Sequence, residues 1–365
     1  TYLFQISNLL FQGQVMNETE KQYPFLRACR REPTEYTPIW LMRQAGRYLK
    51  DYRALRKKYS FLEMCKNPEL VAQVTLQPIE KFKLDAAIIF SDILISLEPM
   101  GVEFQFAKGE GPVFHHPLRE KRDVEKLRIF EPEEEIPYLV KAIQIVRKEL
   151  EGKIPLIGFC GAPFTLASYV IEGGHSKNYI LTKGMMYQDR GTWNTLMEKI
   201  SQVLIRYLNA QIRSGVQAVQ LFDSWVGCLS PTDYKEYVLP YSKRIIEGVA
   251  SGVPLIHFAT SSSTLLEMMK RAGGDVIGVD WRVNLAEAWA CLGYDIAIQG
   301  NLDPVILLSG PDLIEKEVKR ILEEAGGRPG HIFNLGHGIL PNTPAENVAF
   351  LVEAVHRYSS RREII

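Results

Sequence analysis

Eight short apolar or β-branched runs recur along this 365-residue chain, each bounded by turn residues, at 39–42, 86–90, 155–159, 218–222, 254–258, 276–279, 296–299 and 332–335. Helical patterns fill the gaps. Ile136, Leu139, Val140, Ile143, Val146 and Leu150 keep three-and-four spacing between Pro132 and Gly152. Leu265, Leu266, Met268 and Met269 make a shorter helix stopped by Gly273-Gly274. Leu313, Val318, Ile321 and Leu322 make another, ended by Gly326-Gly327. Strand alternating with helix in this way predicts an α/β fold of the (β/α)8 TIM-barrel type, one domain with extra N-terminal helices and insertions in its βα loops. A doubly wound open sheet would want a glycine-rich fingerprint after its first strand, and Met42-Arg43-Gln44-Ala45-Gly46 holds a single glycine. Within 91–153 a hairpin is expected, 103–106 against 112–115 around Gly109 and Gly111. Within 161–215 a lid-like segment is expected, with Gly173, Gly174 and Gly184 as hinges.

The first run turns abruptly cationic. From 43 to 58, seven basic side chains (Arg43, Arg47, Lys50, Arg53, Arg56, Lys57, Lys58) face one acid, Asp51. On a helix Arg43, Arg47 and Lys50 would share one face. A solvated basic helix is the ordinary reading; the direct junction with a buried strand favours a grip on carboxylate or phosphate. In a barrel, chemistry sits at the C-terminal ends of the strands. Those ends carry Arg43 and Arg47, Ser91 and Asp92, Asp223 and Ser224, Thr260, Asp280 and Arg282, Asn301 and Asp303, and His337. Asp92 leaves an almost wholly apolar strand, as a cap for the next helix or as an anchor for a cationic or N–H-rich ligand, since a carboxylate has about four acceptor positions. His337 lies between Gly336 and Gly338, where backbone can approach a ligand closely. Tyr169 reads as core with a tethered hydroxyl or as a site residue.

Composition narrows the partners. The formal net charge is zero, so no global field draws the chain to nucleic acid or an anionic membrane, and no nucleic-acid module accompanies the basic run. No apolar run approaches the ~20 residues of a membrane span. The five cysteines are dispersed, pointing to free thiols in a reducing compartment. The histidines form no zinc spacing, so no metal is expected. Residues 1–16, with Leu10-Phe11-Gln12-Gly13, read as a leader or a cloning remnant, and 17–365 as the folded unit.

Five motifs carry a resemblance. Pro38-Ile39-Trp40-Leu41-Met42-Arg43-Gln44-Ala45-Gly46-Arg47-Tyr48 is similar to the signature of the uroporphyrinogen decarboxylases. The likeness continues through Phe90-Ser91-Asp92-Ile93-Leu94, Ile157 to Leu166, Phe222-Asp223-Ser224-Trp225-Val226-Gly227 and Asn334-Leu335-Gly336-His337-Gly338-Ile339, covering about residues 20 to 356. The resemblance implies removal of CO2, without a cofactor, from the four acetate arms of uroporphyrinogen III to give coproporphyrinogen III. It implies catalytic roles for Asp92, Arg43, Arg47, Tyr169 and His337, with Asp92 accepting pyrrole N–H groups and stabilising a transient cation, and the two arginines clamping carboxylates. Tyr169, Ser224 and His337 would contact acid arms, and the backbone of Gln44, Ala45 and Gly46 would line the pocket. A cytoplasmic homodimer with facing clefts is also implied, or a plastid location in a plant or alga. His175 and Phe164 depart from the family's usual residues. A zinc-dependent methyltransferase of the same superfamily would need a cysteine two residues after His257, where Ala259 stands. A phosphosugar enzyme, with Gly336 and Gly338 cradling phosphate, and a non-catalytic tetrapyrrole carrier are the other rivals.

Overall fold

Seven parallel strands make one curled sheet in the order β1 (Ala87–Ile88), β4 (Leu156–Gly161), β5 (Ala218–Asp223), β6 (Leu255–Ala259), β7 (Val276–Gly278), β8 (Ala297–Gln299) and β9 (His331–Ile332). The computed structural model describes residues 22–107 and 111–361; the expected leader over 1–16 and the turn at Gly109 lie outside them. Each strand is followed by helical structure packed on the sheet, because these strands are buried on both faces and neither can be left wet. Four helices precede β1 among the described residues: Pro24–Cys29, Lys50–Arg56, Phe61–Lys66 and Pro68–Lys81. The expected hairpin is present as β2 (Phe104–Ala107) against β3 (Gly111–Phe114), one residue displaced from the sequence reading.

Two expectations at the start of the chain need correction. The run 39–42 is not a regular strand; it makes one isolated parallel bridge, Ile39 to Phe333. Its backbone still bonds in both directions, with Phe333 N donating to Pro38 O at 2.8 Å and Asp85 N donating to Ile39 O at 2.9 Å. Nor do Arg43 and Arg47 ride a helix with Lys50. Arg43 has φ 59°, in the left-handed region, which ends regular structure there, and the helix begins only at Lys50. Gly184 is likewise no hinge, since it lies inside the helix Ile180–Gln188. Gly173 (φ 86°) and Gly174 (φ 154°) do break the chain, after the helix Pro163–Glu172.

Inside the curl, buried polar side chains cross-link the elements. Trp40 Nε1 donates to Gln299 Oε1 (2.8 Å), and Gln299 Nε2 donates to Gln220 Oε1 (3.1 Å). Gln220 Nε2 then reaches Met42 Sδ at 3.7 Å. All four residues are buried, so these partners replace water that the interior excludes. At the opposite end Asp85 accepts from Ile39 N and from Tyr36 Oη, both at 2.8 Å, and meets His356 Nε2 at 2.8 Å, tying the first run to the last helix, Ala345–Ser359. The long helix Arg190–Ser214 braces β4 from outside, where Gln211 bonds both Phe159 N (3.0 Å) and Phe159 O (2.9 Å).

Candidate active site

Asp92 emerges two residues past Ile88-Ile89-Phe90, all nearly closed to solvent, into a turn that leads to the 3-10 helix Ile95–Leu97. Its Oδ1 accepts from Leu94 N at 2.9 Å, which closes an Asx turn ahead of that helix; Leu94, not Asp92, stands at the cap position, and no side chain caps it. The residue is half-buried, with its carboxyl largely enclosed by protein. That burial raises it to about 6, although the Leu94 N–H and the charge of Arg43 both act to lower it. The group therefore changes charge close to working pH.

Arg43 reaches the same space from the first run. Its side chain lies over Gly338: a methyl group built there would overlap Arg43 Cδ and stand 2.6 Å from Cγ. The Gly336-His337-Gly338 loop is thus pinched. Gly338 faces Arg43, and Gly336 faces the backbone of Asp280 and Trp281, where an added methyl would strike Trp281 N. His337 Nδ1 accepts from Gly338 N at 2.7 Å, which leaves the proton on Nε2. Burial, then the charge of Arg43, lower this imidazole to about 4; Asp280 opposes and Arg282 adds to the effect. His337 is a neutral N–H donor at pH 7.

Tyr169 completes the group from the second turn of the helix Pro163–Glu172. Its ring lies 3.8 Å from that of Trp225, centroid to centroid. The hairpin holds the helix end in place, with Phe114 N donating to Gly173 O (3.1 Å) and the Phe114 ring 6.2 Å from that of Tyr169. Burial pushes the phenol well above its ordinary range, the Asp92 charge adds to the rise and Arg43 opposes it. Beneath this stack, Thr165 Oγ1 donates to Asp223 Oδ1 (2.8 Å) and accepts from Trp225 N (3.2 Å). Asp223 is fully buried, and burial lifts its carboxyl to about 7 against the hydrogen bond from Thr165.

Arg43 is therefore within reach of Asp92, Tyr169 and His337, and Asp92 of Tyr169. The other expected residues divide. Ser224 is half-buried beside Asp223, and its carbonyl accepts from Thr260 Oγ1. Gln44 is buried and spends its side chain on structure, accepting from Leu41 N (3.1 Å) and donating to Ala86 O (3.2 Å). Ala45 and Gly46 follow it in the partly open turn. Arg47 is exposed, with its carbonyl held by Arg53 Nη1 at 2.9 Å and its charge felt at Tyr52. Asp303 caps the 3-10 helix Pro304–Leu308, and Asn301 donates inward to Asp280 O and Val283 O. The sequence reading passed over Trp225 and Thr165. Trp225 stands inside a quoted motif, and an aromatic next to the strand-end Asp-Ser pair was the signal available.

A mouth that sets a carboxyl near neutrality and a neutral imidazole within reach of one guanidinium, on a curled parallel sheet, is the kind of site that an α/β enzyme carries. The uroporphyrinogen decarboxylase family model matches residues 20–358. Uroporphyrinogen decarboxylase from Carboxydothermus hydrogenoformans is 58% identical, over 94% of this chain and 97% of the relative. The enzyme of that name from Geobacter sulfurreducens is 55% identical over 92% and 99%. Among solved structures, a methyltransferase from Methanosarcina mazei superposes with a TM-score of 0.77 at 22% identity, over 92% of this chain and 98% of that one. A B12-independent methionine synthase from Shewanella superposes at 0.53 with 9% identity, over 80% and 86%. These two share the fold. The chain belongs to the uroporphyrinogen decarboxylase family and is a carboxy-lyase, as its five motifs implied.

Proposed function

We propose that this chain decarboxylates the four acetate arms of uroporphyrinogen III to coproporphyrinogen III, with Asp92 beneath the pyrrole nitrogens and Arg43 and Arg47 holding carboxylate arms. The observation that carries the assignment of roles is the Asp92 carboxyl, raised to about 6 while facing Arg43 and Tyr169. Losing CO2 from an acetate needs a place for two electrons. Protonating a pyrrole ring carbon makes an iminium-like cation; the C–CO2 bond then breaks and its electron pair collapses into the ring. A second proton converts the exocyclic carbon to methyl, and the first proton leaves as the ring regains aromaticity. Ionised Asp92 stabilises the cation and accepts N–H bonds. Tyr169 and neutral His337 donate to acid arms, Ser224 takes another, and the Gln44–Gly46 turn lines the pocket wall.

The reaction of each arm can be followed with the reduced octacarboxylate by separating hepta- to tetracarboxylate products. The parent should run through to tetracarboxylate. Arg43→Gln should raise KM about 10- to 100-fold, the effect of losing one charge-assisted hydrogen bond of about 1.5–3 kcal/mol. An unchanged KM in that variant removes Arg43 from the site.

The residues 17–365 act as one unit, and the segment 39–42 serves as the eighth stave of a closed barrel. Its hydrogen bonds toward both Asp85 and Phe333, and the buried Trp40–Gln299–Gln220 link, support that reading. The family's homodimer is supported by an apolar face on the helix Ile180–Gln188, where Ile180 is 70% exposed and Leu181 and Tyr187 lie open beside it. A single-chain mass in sedimentation would rule the dimer out. Among the described residues no helix is long and apolar enough to cross a membrane. A cytoplasmic location, or a plastid in a plant or alga, suits the free thiols, including exposed Cys291; fractionation with a secreted pool would contradict it.

A further inference from the structure

The pinched Gly336-His337-Gly338 loop has cationic groups on both sides. On the Gly338 side is Arg43; on the Gly336 side are Asp280 and Trp281, whose backbone leads directly into Arg282, and the charge of Arg282 acts on His337. Arg282 is built into its place. Its Nη1 donates to Asp280 Oδ2 at 2.5 Å, its backbone N donates to Asp280 Oδ1 at 3.0 Å, and its guanidinium lies 4.0 Å from the centroid of the Trp281 ring. Asp280 is 1% exposed and also accepts from Ser261 N at 2.5 Å, so the anchor is dry and fully bonded. The Arg282 side chain, by contrast, is 47% exposed. A guanidinium carries five N–H donors in a planar fork, and the Asp280 contact engages Nη1, so donors remain for a second acceptor. A fork already fixed by a buried carboxylate and an aromatic face loses little freedom when it binds. Solvation alone does not need this construction: Lys50 is simply exposed.

We propose that Arg282 is a substrate-binding residue that grips a side-chain carboxylate of the porphyrinogen on the side of His337 opposite Arg43. The proposal rests on the reading of the mouth given above. A flat substrate with acid arms around its whole edge, centred over Asp92, presents carboxylates in several directions, and Arg43 and Arg47 serve only some of them. Arg282 follows the Asp280–Trp281 backbone that packs against Gly336, close enough for its charge to act on His337. The arm is either an acetate, lost as the reaction proceeds, or a propionate, kept through every step.

Steady-state kinetics on the octacarboxylate, together with equilibrium binding of the tetracarboxylate product, separate these sources in Arg282→Gln, with Arg43→Gln alongside. Arg282→Gln should raise KM about tenfold with kcat within threefold. If product binding weakens about tenfold as well, the arm is a propionate; if only the octacarboxylate is affected, it is an acetate. Either result supports the grip. Unchanged KM and product binding in Arg282→Gln, with Arg43→Gln impaired, would overturn the role of Arg282 and leave the mouth intact. If neither variant changes, the reading of the mouth fails first and Arg282 falls with it. Should Arg282→Gln not fold, Arg282→Lys keeps the charge beside Asp280 but loses the fork. It should show about a threefold rise in KM at an unchanged melting temperature, and parental KM and product binding in it would equally overturn the role.

Discussion

Asp92→Asn is expected to lose about 10²- to 10³-fold in kcat while melting at a higher temperature than the parent. The loss follows from removing a preplaced negative charge from beneath a developing cation, the kind of change that costs about 3–4 kcal/mol in other enzymes. Asparagine has nearly the same shape, and its carbonyl can still accept from Leu94 N, so the turn survives. The gain in stability has its own sign. Burial lifts the Asp92 carboxyl from 3.8 to about 6 in the fold, so the unfolded chain ionises first as pH rises. The folded state therefore loses stability between pH ~4 and ~6, and above that it carries a penalty of roughly 2–3 kcal/mol. A neutral amide carries none. In the free parent enzyme, kcat/KM should fall below pH ~6 as Asp92 takes up its proton, and that limb should be missing from the residual activity of the variant. Thermal melts at pH 5 and pH 8, with pH–rate profiles of both proteins, check all three expectations. An Asn variant that turns over near the parental rate would remove Asp92 from the chemistry.

How much of this could be read from the residues differs from element to element. Runs such as 155–159 and 218–222 are short, apolar and followed by helical spacing, and β4 and β5 lie within a residue or two of them. The run 39–42 is just as apolar, yet it forms a single bridge, Ile39 to Phe333, with one further backbone bond from Asp85 N to Ile39 O. Spacing placed Arg43, Arg47 and Lys50 on one face on the assumption of a helix. The left-handed backbone at Arg43 breaks that assumption, and no residue type announces it, since a non-glycine residue with positive φ is held there by surroundings distant in sequence. Arg43 still arrives at Asp92, by a different route. The strand-end reading found Asp92, Asp223, Asp280, Arg282 and His337, but spacing could not rank them. What ranks them is burial and pairing: Asp280 is spent on Arg282 and Ser261, Asn301 on loop carbonyls and Asp303 on a helix start, whereas Asp92 is half-buried and gives one oxygen to Leu94 N. Local sequence encodes where side chains leave the sheet. Which of them stay unspent is decided by contacts between strands far apart in the chain.

The two glycines around His337 should respond in opposite ways to the same added methyl group. Neither lies in the left-handed region, so alanine is conformationally allowed at both, and the neighbours decide the outcome. At Gly338 the methyl meets the aliphatic stem of Arg43, which can swing aside. Gly338→Ala should therefore fold with a stability within about 1 kcal/mol of the parent and bind poorly. Its KM should rise about 10- to 100-fold, matching Arg43→Gln, because the guanidinium has been moved off its carboxylate. Combining the two changes should add little to either, since both act through the same contact. At Gly336 the methyl meets Trp281 N and the Asp280 carbonyl carbon, with Trp281 Cε3 at 2.9 Å. Backbone packed against a sheet cannot swing aside, so Gly336→Ala should cost about 1–3 kcal/mol, seen as a melting temperature lower by several degrees. It should also lose turnover, because the displaced loop carries His337 away from Arg43 and Arg282 together. Melts and steady-state kinetics on the pair decide the matter. Equal losses of stability at 336 and 338 would mean that the loop is not held between Arg43 and Trp281 as described, and both the Arg43 clamp and the placement of Arg282 would lose their geometric basis.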